Sequence, residues 1–280
     1  MFKNNFVLVR GGGDLATGVA LRLHRAGIKV IIAELAQPLA VRRTVSFSEA
    51  VYDGQQTVEG VTAKLIEANQ LSAWRDAGFI PVIVDPDADI LSSFFFPAVI
   101  DARLIKQTPS PLRAQPTLHI GLGPGFHAGR DCHAVIETRR SHTLGRVYWT
   151  GTTQPDSGEP EGDPRRVLRA PMDGVVTGLK KIGEHVGEGE VIADIQVEWE
   201  MSPRRHSDAR TQIYSPFAGV LRGIIRDGLQ VKKGMKIGDV DGRDDASACF
   251  LASDKSLAIG GGALEAVLSK AEIRKKLYSK

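Results

Sequence analysis

Several clusters in this 280-residue chain have residue types and spacings suited to chemistry. The first is VLVRGGGDLATG, residues 7–18, in which Gly11, Gly13 and Ala16 satisfy G-x-G-x-x-A directly after an apolar run. Such a turn lets backbone approach a pyrophosphate while helix N-terminal amides point at the anion. In that geometry Gly12, Gly13 and Leu15 offer amides to phosphate. Glu34, about twenty residues on, stands where an acid holds a ribose 2′-hydroxyl. A tight turn that binds nothing fits the same residues. Asp14 opens the following helix, where its carboxylate has two uses. It can bond the first-turn amides and so compete with phosphate, or face the ligand and accept from a donor such as a pterin aminopyrimidine edge.

Arg42 and Arg43 form a second cluster, either a bidentate clamp on a phosphate or carboxylate or a solvated face. A third is the glycine-rich HIGLGPGFHAGRDCH, residues 119–133, with Gly123, Gly125 and His127 at the end of an expected strand. Its histidines, Asp131 and Cys132 match no structural zinc spacing, and no metal site is expected. Cys132 beside Arg130 and His133 is either a thiol of lowered pKa able to handle sulfur or a small buried apolar residue. The fourth, VIETRRSHTLGRV, brings Glu137, Arg139 and His142 near the same sheet edge. No nucleophile elbow accompanies it, which disfavours acyl-transfer hydrolysis.

The elements that must position these residues alternate along the first half. Strands are expected at Phe6–Arg10, Lys29–Glu34, Ile80–Val84, Ala98–Asp101, Leu118–Gly121 and Ala134–Glu137, with helices at Leu15–Ala26 and Ala68–Ala77. Short, non-alternating apolar runs punctuated by Gly, Pro and Asp suit a parallel sheet covered on both faces. The expected fold is therefore α/β, with a Rossmann-like, open, mostly parallel sheet over residues 1–155. A net charge of +3 gives no footprint for nucleic acid. No apolar run reaches the roughly 18 residues of a membrane span, and no signal peptide is evident, so a cytoplasmic protein is expected.

An exposed linker, GTTQPDSGEPEGDPRR, precedes an internal repeat over 165–243. Pro171 aligns with Pro216, Gly174 with Gly219 and Asp194 with Asp239, an offset of 45 residues. The repeat resembles the biotinyl/lipoyl-type barrel-sandwich. That family carries its prosthetic group on a lysine between the halves. Here the intervening stretch has Met201 but no lysine, and the nearest, Lys181 and Lys232, lie inside the halves. Neither biotin nor lipoate is expected. Residues 246–280 read as a strand, a turn at Gly260–Gly262 and a helix from about Ala263, packing on the N-terminal domain.

Taken in order, VRGGGDLATGVALRL, GLGPGFHAG, VIETRRSHTLGRV, the repeat and SDKSLAIGGGALEAVL resemble the YqeB-type family of accessory proteins for selenium-dependent molybdenum hydroxylases. Ser141 stands where that family's pattern has glycine. The resemblance implies kinship, through the Rossmann-like part, with xanthine dehydrogenase accessory factors. It further implies a maturation factor that binds molybdenum cofactor of molybdopterin type, or a dinucleotide, and assists its modification or insertion into an apo-hydroxylase partner. Whether it forms a homo-oligomer is left open. The alternative is an NAD(P)-dependent oxidoreductase with a non-acylated lipoyl-like docking domain.

Overall fold

Short runs of Val, Ile and Ala that end in glycine, proline or aspartate become strands in the computed structural model, which describes residues 6–70, 78–160, 162–197 and 210–278. The chain divides into two units: Met1–Pro38 with Ser46–Gly158 and Ala252–Lys280, and Leu39–Val45 with Glu159–Leu251. The short insertion Leu39–Val45 leaves the first unit and joins the second.

In the first unit the strands are β1 (Phe6–Arg10), β2 (Lys29–Glu34), β3 (Gln55–Val58), β4 (Val61–Leu65), β5 (Ile80–Val84), β6 (Ala98–Asp101), β7 (Leu118–Leu122), β8 (Ala134–Ile136) and β9 (Val147–Tyr148). They form one sheet in the order β3-β4-β5-β2-β1-β6-β7-β8-β9. Pairing is parallel from β4 through β8 and antiparallel at both edges, β3 with β4 and β8 with β9. The hairpin joining β3 to β4 turns at Glu59 and Gly60, both at positive φ, the geometry a two-residue hairpin favours.

The expected helix-covered, Rossmann-like sheet is corrected by this arrangement. The sheet is mixed, and helices are few: α1 (Asp14–Arg25), the single turn α2 (Ala50–Asp53), α3 (Asp254–Ser269) and α4 (Ala271–Tyr278) among the described residues. The reason lies in the crossovers. Between β5 and β6 the chain manages one 3₁₀ turn, Asp89–Ser92. Between β6 and β7, Pro109, Pro111 and Pro116 remove donors that a helix would need. Between β7 and β8 the glycine-rich loop has no apolar stripe to bury. The helix expected at Ala68–Ala77 falls mostly on 71–77, outside the described residues.

The expected C-terminal strand and triple-glycine turn are also corrected. One helix, α3, runs through Gly260, Gly261 and Gly262, capped by the Ser253 hydroxyl accepting from the Ser256 amide at 3.0 Å. The glycines serve close packing instead of a turn. A Cβ on Gly260 would lie 2.5 Å from the Gly18 carbonyl oxygen on α1, and one on Gly18 would lie 2.4 Å from the Ser256 carbonyl oxygen. Backbone thus meets backbone where α1 and α3 cross.

The second unit holds β10 (Val167–Arg169), β11 (Gly174–Gly178), β12 (His185–Val186), β13 (Val191–Gln196), β14 (Arg210–Tyr214), β15 (Gly219–Ile224), β16 (Gln230–Val231) and β17 (Lys236–Asp241). They pair as two four-stranded antiparallel sheets, β10-β17-β15-β12 and β14-β13-β11-β16. The described strands form no single closed barrel, which corrects the expected biotinyl/lipoyl-like barrel. The two repeats exchange their shortest strands: β12 of the first copy pairs with β15 of the second, and β16 of the second with β11 of the first. Neither copy can complete a sheet alone. The stretch between the copies that contains Met201 lies outside the described residues. No described helix is long and apolar enough to cross a membrane.

Gly260→Ala should cost about 1–3 kcal/mol by overpacking the α1–α3 crossing. Gly261→Ala, whose Cβ would meet nothing within 4 Å, should be neutral or stabilising by about 0.5–1 kcal/mol. Urea denaturation of both variants checks the contrast, and equal effects would refute the packing account.

Candidate anion-binding site

Arg10 closes β1, and its register partner Asp101 closes β6. The strand order turns away in opposite directions from this pair, toward β2 on one side and β7 on the other. A crevice at the carboxyl ends of the strands is expected at such a point. Asp101 is fully buried, and its carboxylate is held from two sides. Arg10 Nη1 donates to Asp101 Oδ2 at 3.2 Å, while Arg103 donates through Nε to Oδ1 at 2.9 Å and through Nη2 to Oδ2 at 2.6 Å. Arg10 Nη2 is committed to the Pro86 carbonyl oxygen at 3.0 Å. That leaves Arg10 Nε, which is buried and has no hydrogen-bond partner. An unsatisfied buried donor of this kind costs about 1–3 kcal/mol until an acceptor reaches it.

Burial pulls the Arg10 guanidinium below its ordinary pKa, with Arg103 adding to the effect and Asp101 opposing it. The hydrogen bonds to Asp101 hold Arg103 above its own ordinary value. Both remain cations at neutral pH. Two guanidinia around one carboxylate leave a net positive charge at the floor of a cavity of about 650 Å³. Its walls include Asp87, Ile105, Lys106, Thr108, Ser110 and Arg113. The loop bearing Asp87 is pinned by the Asp85 carboxylate, which accepts from the amides of Asp89 and Ile90 at 2.8 and 3.0 Å. Lys106 and Arg113 pair with Asp156 and Asp89 at 2.5 and 2.7 Å, but these pairs are exposed and weak enough to exchange for a ligand anion. The described wall includes four cations, Arg10, Arg103, Lys106 and Arg113, and one carboxylate, Asp87.

The glycine turn itself is largely spent on the protein. Gly11 donates its amide to the Ala33 carbonyl oxygen at 2.7 Å, and Gly12 donates to Glu34 Oε2 at 2.5 Å. Glu34 Oε1 accepts from the Leu35 amide at 2.7 Å, and burial raises the Glu34 pKa against these hydrogen bonds. The segment Ser46–Glu49 closes over the turn: the Ser48 amide donates to the Gly12 carbonyl at 2.9 Å, and the Phe47 amide donates to Thr17 Oγ1 at 2.9 Å. A Cβ on Gly12 would lie 2.9 Å from the Ser48 nitrogen. Gly12 as a phosphate donor and Glu34 as a ribose reader are thereby corrected, since each satisfies the other. Gly13 is the N-cap residue of α1, Asp14 lies in the first turn, and Leu15 is buried behind them.

The other expected site residues disperse. Arg42 and Arg43 belong to the second unit, donating to the carbonyls of Ala248, Leu251 and Ile224, so a phosphate clamp is corrected to a brace. Gly123 packs against Thr138. A Cβ on Gly125 would lie 2.3 Å from the Ile105 carbonyl oxygen, so this glycine supports the cavity loop from behind instead of contacting a ligand. The His127 amide donates to Asp131 Oδ2 at 2.9 Å, and its ring Nδ1 contacts the Ala128 carbonyl at 2.9 Å. Arg139 and His142 are exposed on the turn joining β8 to β9, away from the cavity wall. Cys132 is buried, its thiol donating to the Ala134 carbonyl at 3.2 Å, and burial pushes it up to about 11. Of the two readings open for Cys132, the lowered thiol pKa is corrected to a raised one and the residue is the small buried one. Among the described residues no group of three His, Cys, Asp or Glu side chains is placed to hold a metal ion.

Arg10, Asp101 and Arg103 were not singled out as ligand residues by motif reasoning. The available signal was a charge placed at the last residue of an apolar strand, twice, with Arg103 two residues after the second. His119, on β7, is a further buried group with an unpartnered ring nitrogen, Nε2. Burial lowers its pKa to about 4, against the opposing pull of Asp101.

With this geometry in view, comparison with known proteins gives the following. No family model matches the chain. It is 44% identical over 270 residues to the uncharacterized protein YqeB of Escherichia coli K12, covering 95% of this chain and 48% of that protein. The chain thus spans about half the length of the curated relative it matches. Among solved structures it is similar to an aspartoacylase family protein from Mesorhizobium loti, at 14% identity, 84% coverage of each chain and a TM-score of 0.29. A succinylglutamate desuccinylase/aspartoacylase from Rhodobacter sphaeroides gives 14% identity, 84% and 85% coverage, and a TM-score of 0.29. Likeness at that level carries no argument about fold or activity. The expected membership among molybdenum-hydroxylase accessory proteins, with xanthine dehydrogenase accessory kinship, is corrected to similarity with an uncharacterized protein whose name carries no activity.

Two measurements check the buried groups. Native Cys132 should react with a soluble disulfide reagent at pH 8 at least tenfold more slowly than after unfolding, because so little thiolate is present. For His119, a folded pKa near 4 against about 6.5 unfolded means that the unfolded chain binds the extra proton between those values. Stability is then lost as pH falls from about 6.5 toward 4, by up to about 3 kcal/mol. Urea midpoints at pH 7 and 4.5 should show that loss reduced in His119→Gln.

Proposed function

We propose that the first unit binds a phosphorylated cofactor, of nucleotide or pterin-phosphate type, in the cavity lined by Arg10 and Arg103. The observation that carries this reading is the pair Arg10 and Arg103, two cations on the wall of a cavity at the carboxyl ends of parallel strands. Arg103, Lys106 and Arg113 supply further positive charge, while Ile105, Pro109 and Pro111 offer apolar surface to an organic body. A cavity of about 650 Å³ lies within the roughly 300–1,000 Å³ usual for small-molecule sites. The nicotinamide oxidoreductase alternative loses its support, because Glu34 and Ser48 occupy the glycine turn that would receive the pyrophosphate.

Calorimetric titration with inorganic phosphate, CTP, NADH, NADPH and isolated molybdopterin tests the reading. At least one phosphate compound should bind, with affinity falling as salt is raised. Arg103→Ala should weaken it at least about tenfold, as loss of a charge-assisted hydrogen bond of about 1.5–3 kcal/mol requires. Failure of every compound to bind, or tight NADH binding with hydride transfer that Arg103→Ala leaves intact, overturns it.

A further inference from the structure

We infer that Asp87 and Arg103 form a two-point recognition element: the open guanidinium edge of Arg103 takes the anionic group of a ligand, and Asp87 accepts from a hydroxyl or amino donor on the same molecule. This rests on the phosphorylated-ligand reading above and narrows it to phosphate esters whose organic part carries hydrogen-bond donors, such as a sugar phosphate or a nucleotide. Arg103 lines the cavity with its side chain 33% exposed, and Asp101 holds it side-on from beneath. The carboxylate accepts from Nε at 2.9 Å and Nη2 at 2.6 Å, and the Arg103 amide also donates to Oδ1 at 3.3 Å. Each Nη carries two N–H groups, so Nη1 and the far N–H of Nη2 stay open as a planar fork. Such a fork matches two oxygens of one phosphate.

Arg10 ties the two points together. Its Nη1 donates to Asp101 at 3.2 Å and its Nη2 to the carbonyl of Pro86, the residue before Asp87, at 3.0 Å. Arg10 therefore spans from the end of β6 to the loop after β5, a positioning residue that needs no contact with the ligand. The backbone is strained at both points. Ala88, directly after Asp87, has φ 56°, and Leu104, directly after Arg103, has φ 57°. The left-handed region is costly for residues with a Cβ, and such strain concentrates at ligand clamps. Net charge does not choose the ligand, because Lys106 and Arg113 are paired with Asp156 and Asp89. Geometry does. Asp87 is exposed on the wall and acts electrostatically on Arg10 and Arg103. A bare anion on the fork meets repulsion from that carboxylate, whereas an ester with donors turns it into a charge-assisted hydrogen bond.

The test is titration calorimetry on the full chain at pH ~7.5 with methyl phosphate, ribose 5-phosphate and cytidine 5′-monophosphate, monoesters of like charge that differ in the donors they carry. The two donor-bearing esters should bind at least about tenfold more tightly than methyl phosphate, as an added hydrogen bond to a charged group provides. Asp87→Ala should remove most of that advantage while methyl phosphate binds as well as before or better, because a repelling carboxylate is gone. Arg103→Lys should weaken all three at least about tenfold, since an ammonium keeps the charge but cannot present the fork. Asp87 is exposed, so its replacement spares the core, and the wild-type comparison needs no variant. Equal wild-type binding of the three esters, or an Asp87→Ala effect of the same size on all three, overturns the inference and leaves the phosphate-binding reading intact. Binding by none of the three overturns the inference, and the earlier titration panel then decides the reading separately.

Discussion

A carboxylate with no solvent contact must find its donors inside the protein, and Asp101 finds them in Arg10 and Arg103. The consequences spread outward. The pair Arg10–Asp101 ties the ends of β1 and β6, the two central strands from which the sheet order diverges. Arg103 is drawn back onto the same carboxylate, which sets the direction of the proline-rich loop that follows. That loop supplies most of the cavity wall. Removing Asp101 would leave two buried or half-buried cations without compensation, so one side chain controls both the strand ends and the site.

The same economy of partners explains why the glycine turn does not read a dinucleotide. A ribose-binding acid must project beyond its strand and keep its oxygens for the ligand. Glu34 instead turns back on Gly12 and Leu35. The segment from Ser46 then lays its own backbone on the turn. The result is a junction in which Glu34 and the turn's backbone satisfy each other, beside a cavity lined by Arg10 and Arg103.

In the second unit the repeat has a different logic. Each copy lends its shortest strand to the sheet of the other, so the gapless alignment of the copies reflects mutual dependence of two halves. Asp239, buried in the second copy, is held by Arg166, Arg222 and Lys236 at 2.5, 2.6 and 3.0 Å. Its counterpart Asp194 meets Arg210 instead. Duplication preserved the buried acid at equivalent positions while the cations around it diverged.

By itself, the sequence determined the central strands, whose bounds at Phe6–Arg10, Lys29–Glu34 and Ile80–Val84 follow from apolar runs with clear punctuation, and helix α1 behind the glycine turn. The duplication was equally legible, because aligned Pro, Gly and Val positions need no structure to be seen. What only the tertiary structure decided is which polar groups find partners. Glu34 has the position of a ligand residue, but Gly12 consumes it, and of the two roles the sequence leaves open for Cys132 burial selects the small apolar one. Gly260–Gly262 read as a turn because local pattern cannot register a helix crossing at α1. Arg10, Asp101 and Arg103 carry no motif at all. Their meaning comes from a parallel pairing between strands some ninety residues apart, a contact that no window on the sequence contains.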